Sequence, residues 1–505
     1  MTARRPALLP VALLSLALDL DPQPLPAQAE PYRPVYHFTP ARNWMNDPNG
    51  LVWFAGEWHL FYQYNPFGDT WGHMSWGHAV SRDLMRWTHL PVAIPEENGI
   101  MAFSGSAVVD HGNTSGLGAR DRPPMVAIYT GHRDGRQDQR LAWSVDSGRT
   151  WTRSARPVLD LGMADFRDPK VFWYAPGRHW VLSVALPAEH RIAFYSSPDL
   201  RRWTRTGTFG PAGAVGGVWE CPDLFPLPIE GGDTSWVLIV SLNPGNPVGG
   251  SGTQYFTGTF DGARFLADGD TAVRWADFGS DFYAAVSWSD VPASDGRRVW
   301  LGWMSNWLYG QTVPTTPWRS AMSVPRELSL RRTPAGLRLI QRPVAELAGL
   351  RRAAPEEFRG GSLAEASGWL EARGGLPSAV DLSLTFSGPW SAPVSLHVTS
   401  GEHDRTTVTV DAAKGELIVD RRLSGRVDFH PAFPARHAAP LRIAGDTVRL
   451  RVLLDASSIE VFGQDGESVL TELIFPQPGP RLLQLRGAGG GARVAGMSLA
   501  RLQGP

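Results

Sequence analysis

A phrase repeated along the first half of the chain limits its fold more than any other feature. It reads Ser81-Arg-Asp83-Leu-Met-Arg-Trp87, then Ser144-Val-Asp146-Ser-Gly-Arg-Thr-Trp151, then Ser197-Pro-Asp199-Leu-Arg-Arg-Trp203, with a fainter copy at Asp261-Gly-Ala-Arg-Phe265. Each copy is an Asp-led turn closed by an aromatic, and successive aromatics lie 64, 52 and 62 residues apart. Short apolar runs, such as residues 125–129, 141–143, 180–184 and 192–194, fill the intervals without helical periodicity. About four strands per repeat, each closed by a turn, is the pattern of propeller blades.

The repeat also sets a register. Seventeen residues beyond each closing aromatic stand Ser104, Asp168, Glu220 and Phe282. In a propeller the strand after the outer turn is the innermost strand of the next blade, lining the central channel. Asp168 and Glu220 are therefore expected on neighbouring inner strands at similar depth. Asp47, at the start of the first blade, belongs to the same ring. The stretch around it, Trp44-Met-Asn-Asp47-Pro-Asn-Gly50, is dense in turn residues and reads locally as a tight turn.

Later segments extend the architecture. Residues 299–303 and 318–323 are expected to complete a fifth blade. From about residue 341 tryptophan nearly disappears, and Arg342-Pro343 begins a linker. Alternating apolar strands follow at 380–386, 407–410, 448–454, 458–462 and 469–475, spaced by Gly, Asp and Pro turns, the pattern of a two-sheet sandwich. The fold expected is all-β: a five-bladed β-propeller over residues 30–345, then a linker and a C-terminal β-sandwich over 346–505.

Composition narrows the function. With 48 Lys+Arg against 49 Asp+Glu there is no basic field to hold a phosphate backbone, so nucleic acid is not an expected partner. Twenty-one tryptophans suit flat, partly apolar ligands such as sugars. Residues 1–29 read as a signal peptide: Arg4-Arg5, an apolar run from Ala7 to Leu18, and the small-x-small site Ala27-Gln28-Ala29. The apolar run is too short to span a bilayer, so no membrane span is expected and the mature chain is expected to be secreted or periplasmic. One cysteine, Cys221, excludes an intrachain disulfide. Strict strand alternation would turn its thiol away from Glu220, making it buried and inert.

Three acids converging in a channel with Trp44, Trp71, Trp303 and Trp307 point to glycosidic bond cleavage. That reaction needs one carboxyl group to protonate the leaving oxygen and a second to attack the anomeric carbon or activate water. Glu, with the longer reach, suits the proton donor, and an Asp on a rigid backbone suits the nucleophile. Ser104 would present a channel-facing hydroxyl to a sugar.

At this level of detail the chain resembles glycoside hydrolase family 32, the β-fructofuranosidases. The resemblance rests on Trp44-Met-Asn-Asp-Pro-Asn-Gly50, Tyr62-Gln-Tyr-Asn-Pro66, Trp76-Gly-His-Ala79, Phe103-Ser-Gly-Ser106 and Phe166-Arg-Asp-Pro-Lys170. It continues through Trp219-Glu-Cys-Pro-Asp-Leu-Phe225, Asp281-Phe-Tyr-Ala-Ala285, Gly302-Trp-Met-Ser-Asn-Trp307 and Ser323-Val-Pro-Arg-Glu-Leu328. It implies a retaining mechanism with Asp47 as nucleophile, Glu220 as acid/base and Asp168 as transition-state stabiliser. Asn46, Gln63, Trp71, Phe103, Ser104, Arg167 and Trp303 match positions that surround the fructosyl unit. The implied substrates are fructans (levan or inulin) and sucrose, with no metal and no organic cofactor. Exo action is favoured, because every core motif is intact. A sucrose-dominant invertase, a fructosyltransferase and a non-catalytic fructan-binding protein stand as alternatives, the last weakened by the presence of all three acids.

Overall fold

The structure, a computed structural model, describes residues 30–504 apart from 120, 270–271, 444 and 488–490. The expected leader, residues 1–29, lies outside the described residues. Five antiparallel sheets form the blades of a propeller, and two further sheets form a sandwich. The innermost blade strands are Asn43–Phe54, Met101–Val109, Arg167–Tyr174, Val218–Pro228 and Tyr283–Ser287. Each packs against its neighbour, and the fifth packs against the first, which closes the ring.

The repeated phrase is one local structure used three times. Asp83, Asp146 and Asp199 each accept backbone N–H bonds from the turn that follows them, at 2.7 Å from Arg86, 3.1 Å from Arg149 and 2.9 Å from Arg202. Ser81, Ser144 and Ser197 each donate a hydroxyl to the Asp two residues on. Trp87, Trp151 and Trp203 each return an indole N–H to a turn carbonyl, on Leu84, Gly148 and Leu200. The turn satisfies its own backbone, so it closes the blade edge without help from outside.

Blade five is built differently from the sequence expectation. Its strands are Tyr283–Ser287, Arg298–Met304, Arg326–Thr333 and Gly336–Pro343, so the outer half comes from beyond residue 325. Of the segment expected to complete it, Ala321–Met322 only flanks Arg298–Met304. Trp318–Arg319 instead pairs in parallel with Asn43 and Trp44 of blade one, so the chain's late segment ties the propeller's first strand.

The turn expected at Asp47-Pro-Asn-Gly50 is also not a turn. These residues lie inside the twelve-residue strand Asn43–Phe54, and its hairpin with Glu57–Tyr64 closes further on, at Ala55-Gly56. The turn chemistry is spent on two register irregularities, between Met45 and Pro48 and between Asn49 and Val52. Gly50 sits at φ 53°, where an added Cβ would strike Phe61 and Trp76 at 2.7 Å.

Tryptophan fills the space between blades. Trp76, Trp219, Trp288 and Trp300 are fully buried in separate clusters, and truncating any one of them would cost about 3–5 kcal/mol. The sandwich packs a seven-stranded sheet against a five-stranded one around an aliphatic core that includes Leu382, Val408, Val452 and Leu470. Between the two halves runs the six-residue 3₁₀ helix Ala345–Leu350, whose Leu347 and Leu350 are buried with propeller residues. A nine-residue helix, Leu363–Glu371, follows within the sandwich and is capped reciprocally by Ser362 and Glu365.

Candidate active site

All five inner strands are irregular at one level of the channel. Register shifts fall at Met45/Pro48, Ala102/Gly105, Ser183/Ala185 opposite Asp168, Glu220/Asp223 and Tyr283/Val286. Asp168, Cys221 and Ala284 adopt positive φ of 66°, 47° and 51°. A bulge re-aims the side chains around it, and here five bulges aim side chains toward one point.

That point is a cavity of about 320 Å³ lined by Asn46, Asp47, Gln63, Trp71, Phe103 and Ser104, and by Arg167, Asp168 and Glu220. The structure thus brings together nine of the ten residues expected at the site. Trp303 is the exception. It is fully buried one layer back, against Trp44, Tyr283 and Trp307, and its neighbour Trp307 lines the cavity in its place. Trp44 lies in that buried layer too, donating its indole N–H to Asn46 at 2.7 Å.

Asp47 is 8% exposed and held by three donors. Asn46 Nδ2 reaches one oxygen at 3.0 Å, while Ser104 Oγ reaches the other at 2.7 Å and Cys221 Sγ approaches it at 3.5 Å. Burial raises its carboxyl above the ordinary value and the Glu220 charge adds to this, while the Ser104, Asn46 and Cys221 donors oppose it. Asp168 is pushed up to about 7, chiefly by burial and then by the Glu220 and Asp47 charges, with the Arg167 guanidinium pulling the other way. Its Oδ2 accepts the Cys221 backbone N–H at 3.0 Å.

Glu220 is the more accessible acid, its side chain 17% exposed. Arg167 donates to one of its oxygens at 3.0 Å, and the Tyr283 hydroxyl donates to the other. Arg167 is anchored in turn by Asp165 at 2.7 Å. Phe103 stacks on His132 with ring centroids 4.7 Å apart and meets Trp71 edge-on at 5.9 Å, forming an aromatic lip.

Four participants escaped the sequence reading. His132 and Gln137 come from the second and third strands of blade two, outside any inner-strand register. Tyr283 stands one residue beyond the register position: Phe282 turns into the core against Trp300, and Tyr283 faces Glu220. Cys221 was expected to face away from Glu220's side of the strand. The bulge at φ 47° breaks that alternation and swings its thiol to within 3.6 Å of Asp168 as well as 3.5 Å of Asp47. Burial and then the two carboxylates hold the thiol well above its ordinary pKa, so it serves as a neutral donor. Among the described residues, no group of three or more His, Cys, Asp or Glu side chains is arranged to hold a metal ion.

The chain matches the glycosyl hydrolases family 32 N-terminal domain over residues 37–343 and the family's C-terminal domain over residues 357–500. It belongs to glycosyl hydrolase family 32. A levanase of Bacillus subtilis (strain 168) is 48% identical over 500 residues, a match covering 97% of this chain and 73% of the relative. The extracellular exo-inulinase inuE of Aspergillus ficuum is 41% identical, covering 88% and 90%. The exo-inulinase of Aspergillus awamori superposes with a TM-score of 0.86 at 37% identity, covering 94% of this chain and 99% of that one. The fructofuranosidase of Schwanniomyces occidentalis in complex with fructose superposes equally well, TM-score 0.86, at 33% identity over 94% and 99%. As a family 32 member, the chain is a glycoside hydrolase.

Proposed function

We propose that the protein is an exo-acting β-fructosidase that releases terminal fructosyl units from levan or inulin and also cleaves sucrose, with retention of configuration. The observation that carries this reading is the shape of the site. The three acids line a pocket of about 320 Å³, and beneath them, between Pro48, Pro169 and Pro222, the channel narrows to a space of about 10 Å³, room for one water at most. A blind pocket admits a chain end and excludes an internal residue. The levanase and exo-inulinase relatives support the same substrate class.

In the first step an Asp47 oxygen forms a bond to the anomeric carbon as the bond to the leaving oxygen breaks, and Glu220 gives that oxygen its proton. Asp47 must be ionised to attack, which its three donors favour against burial. Glu220 then takes a proton from water, the water oxygen bonds the anomeric carbon, and the ester to Asp47 breaks. Asp168 offers a carboxylate to the sugar hydroxyls, and Arg167 counters the charge of both neighbouring acids. Tyr283 and Arg167 fix the rotamer of Glu220 from two sides. The extracellular relatives and the signal-peptide pattern support export.

Purified protein incubated with levan, inulin and sucrose, with products resolved over time, tests the reading. Fructose as the sole early product from both polymers is the expected result. Early oligosaccharides from the polymers would overturn exo action, and no cleavage of any of the three would overturn the fructosidase reading.

A further inference from the structure

A cavity larger than the one at the acids lies elsewhere in the propeller. It lies at the opposite mouth of the propeller channel, measures about 770 Å³, and is separated from the catalytic pocket by the proline constriction. Its walls are aromatic: Phe172, Trp173 and Tyr174 from blade three, and Phe225 and Trp236 from blade four. Trp173 is 41% exposed at the rim, with its indole propped edge-on by Trp180 at 5.1 Å.

The floor is polar and oddly incomplete. Asp223 is fully buried; its Oδ2 accepts the Ser287 N–H at 2.7 Å and lies 3.3 Å from Lys170 Nζ, but its Oδ1 has no partner. A buried carboxylate oxygen without a donor costs roughly 1–3 kcal/mol or more, and a ligand hydroxyl admitted to it by a small side-chain shift would remove that penalty. Arg298 lies over the Phe225 ring at 5.1 Å, and Asp290 holds the Val109 N–H at 2.9 Å. Lys170 and Arg298, with His111 3.4 Å from Asp290, face Asp110, Asp223 and Asp290, three basic side chains against three acidic, so the chamber favours neither an anion nor a cation. Aromatic walls, a vacant acceptor and balanced charge together describe a receptor for a neutral polyhydroxylated molecule.

We propose that this chamber is a second carbohydrate site, which binds a short saccharide by stacking on Trp173 and hydrogen bonding to Asp223 and does not cleave it. The identity of the probe rests on the fructosidase reading; the site itself rests on the chamber. No acid of the catalytic set reaches it, and the constriction prevents a chain from threading between the two. The site would hold a polymer or product on the far side of the enzyme from the reacting end.

The test uses the full chain carrying Asp47→Asn, which prevents turnover, with its tryptophan indole N–H groups observed by NMR during titration with sucrose and with an inulin-type trisaccharide. Two independent saturation curves are expected, one moving Trp71 and Trp307 and another moving Trp173, Trp180 and Trp236. Adding Trp173→Ala should weaken the second curve about tenfold or more and leave the first in place, which also reports that the variant is folded. Trp173→Phe should restore most of the second curve. Shifts confined to Trp71 and Trp307, or a second curve indifferent to Trp173→Ala, would overturn the proposal. Failure of the fructosidase reading would show separately, as wild-type protein releasing no fructose.

Discussion

Arg421 of the sandwich forms a buried ion pair with Asp281 of the propeller, two residues before the tyrosine that holds Glu220. Both side chains are fully excluded from solvent, and the same guanidinium reaches Glu472 at 2.8 Å and the Tyr309 hydroxyl at 2.9 Å. Asp281 also accepts the Leu473 N–H at 2.8 Å. The sandwich thereby anchors the backbone that leads into Tyr283, which gives it a part in positioning Glu220, the acid/base of the proposed mechanism.

Arg421→Met should leave Asp281 buried with no cationic partner, held only by the Tyr309 hydroxyl and the Leu473 N–H, and Glu472 with only His437 as a basic neighbour. Breaking such a group by removing one partner costs about 3–5 kcal/mol. Urea unfolding should show a loss of that order, and the folded variant should have a lower kcat with KM little changed. A loss below about 1 kcal/mol would show that the interface does not depend on this arginine.

Asp168 sets a trade-off between stability and activity. Its folded pKa of about 7 stands above the ordinary 3.8, so the folded state holds the proton more tightly than the unfolded chain. Stability is therefore lost as pH rises from about 4 to about 7, and the full cost stands above that. Asp168→Asn should be more stable than wild type by more than about 1 kcal/mol at pH 8, with the difference vanishing near pH 4. Its kcat should fall on the order of 10²–10³-fold. Equal stability at both pH values would contradict the assignment.

Stability falls with rising pH at His37 too, but there the charged form is the stabilised one: its ring is buried between Asp455 at 2.8 Å and Glu460 at 2.7 Å. Burial lowers its pKa, but the two carboxylates outweigh burial and raise it from 6.5 to about 9. The stability this gives is fully present below pH 6.5 and is lost as pH rises through 9. Wild type should exceed His37→Gln by on the order of 2–3 kcal/mol at pH 6, and the gap should close by pH 10, followed by urea denaturation. A gap that widens with pH would reverse the argument.

Much of the site was legible because the blade repeat converts sequence distance into position around an axis. Asp168 and Glu220 lie 52 residues apart, yet the register put them on adjacent inner strands. What escaped was whatever depends on local irregularity or on another element. Two-residue alternation cannot foresee a bulge, so the direction of Cys221 was reversed, and Tyr283 was missed by one position. Asp-Pro-Asn-Gly advertises a backbone departure from ideal strand geometry, but whether that becomes a turn or a bulge is decided by pairing with Glu57–Tyr64. The Arg421–Asp281 pair spans 140 residues and two domains, and no periodicity links its members.

The central claim is that Asp47 becomes covalently bonded to the fructosyl unit. Acid-quenched turnover of Glu220→Gln with a fructoside bearing a good leaving group, followed by peptide mass analysis, tests it directly. Glu220→Gln removes proton transfer, worth about 10²–10⁴-fold, and so slows release of the intermediate by water. The account predicts one fructosyl residue added to the peptide containing Asp47, and none when Asp47→Asn is combined with it. An adduct on a different peptide, or turnover retained by Asp47→Asn alone, would contradict it.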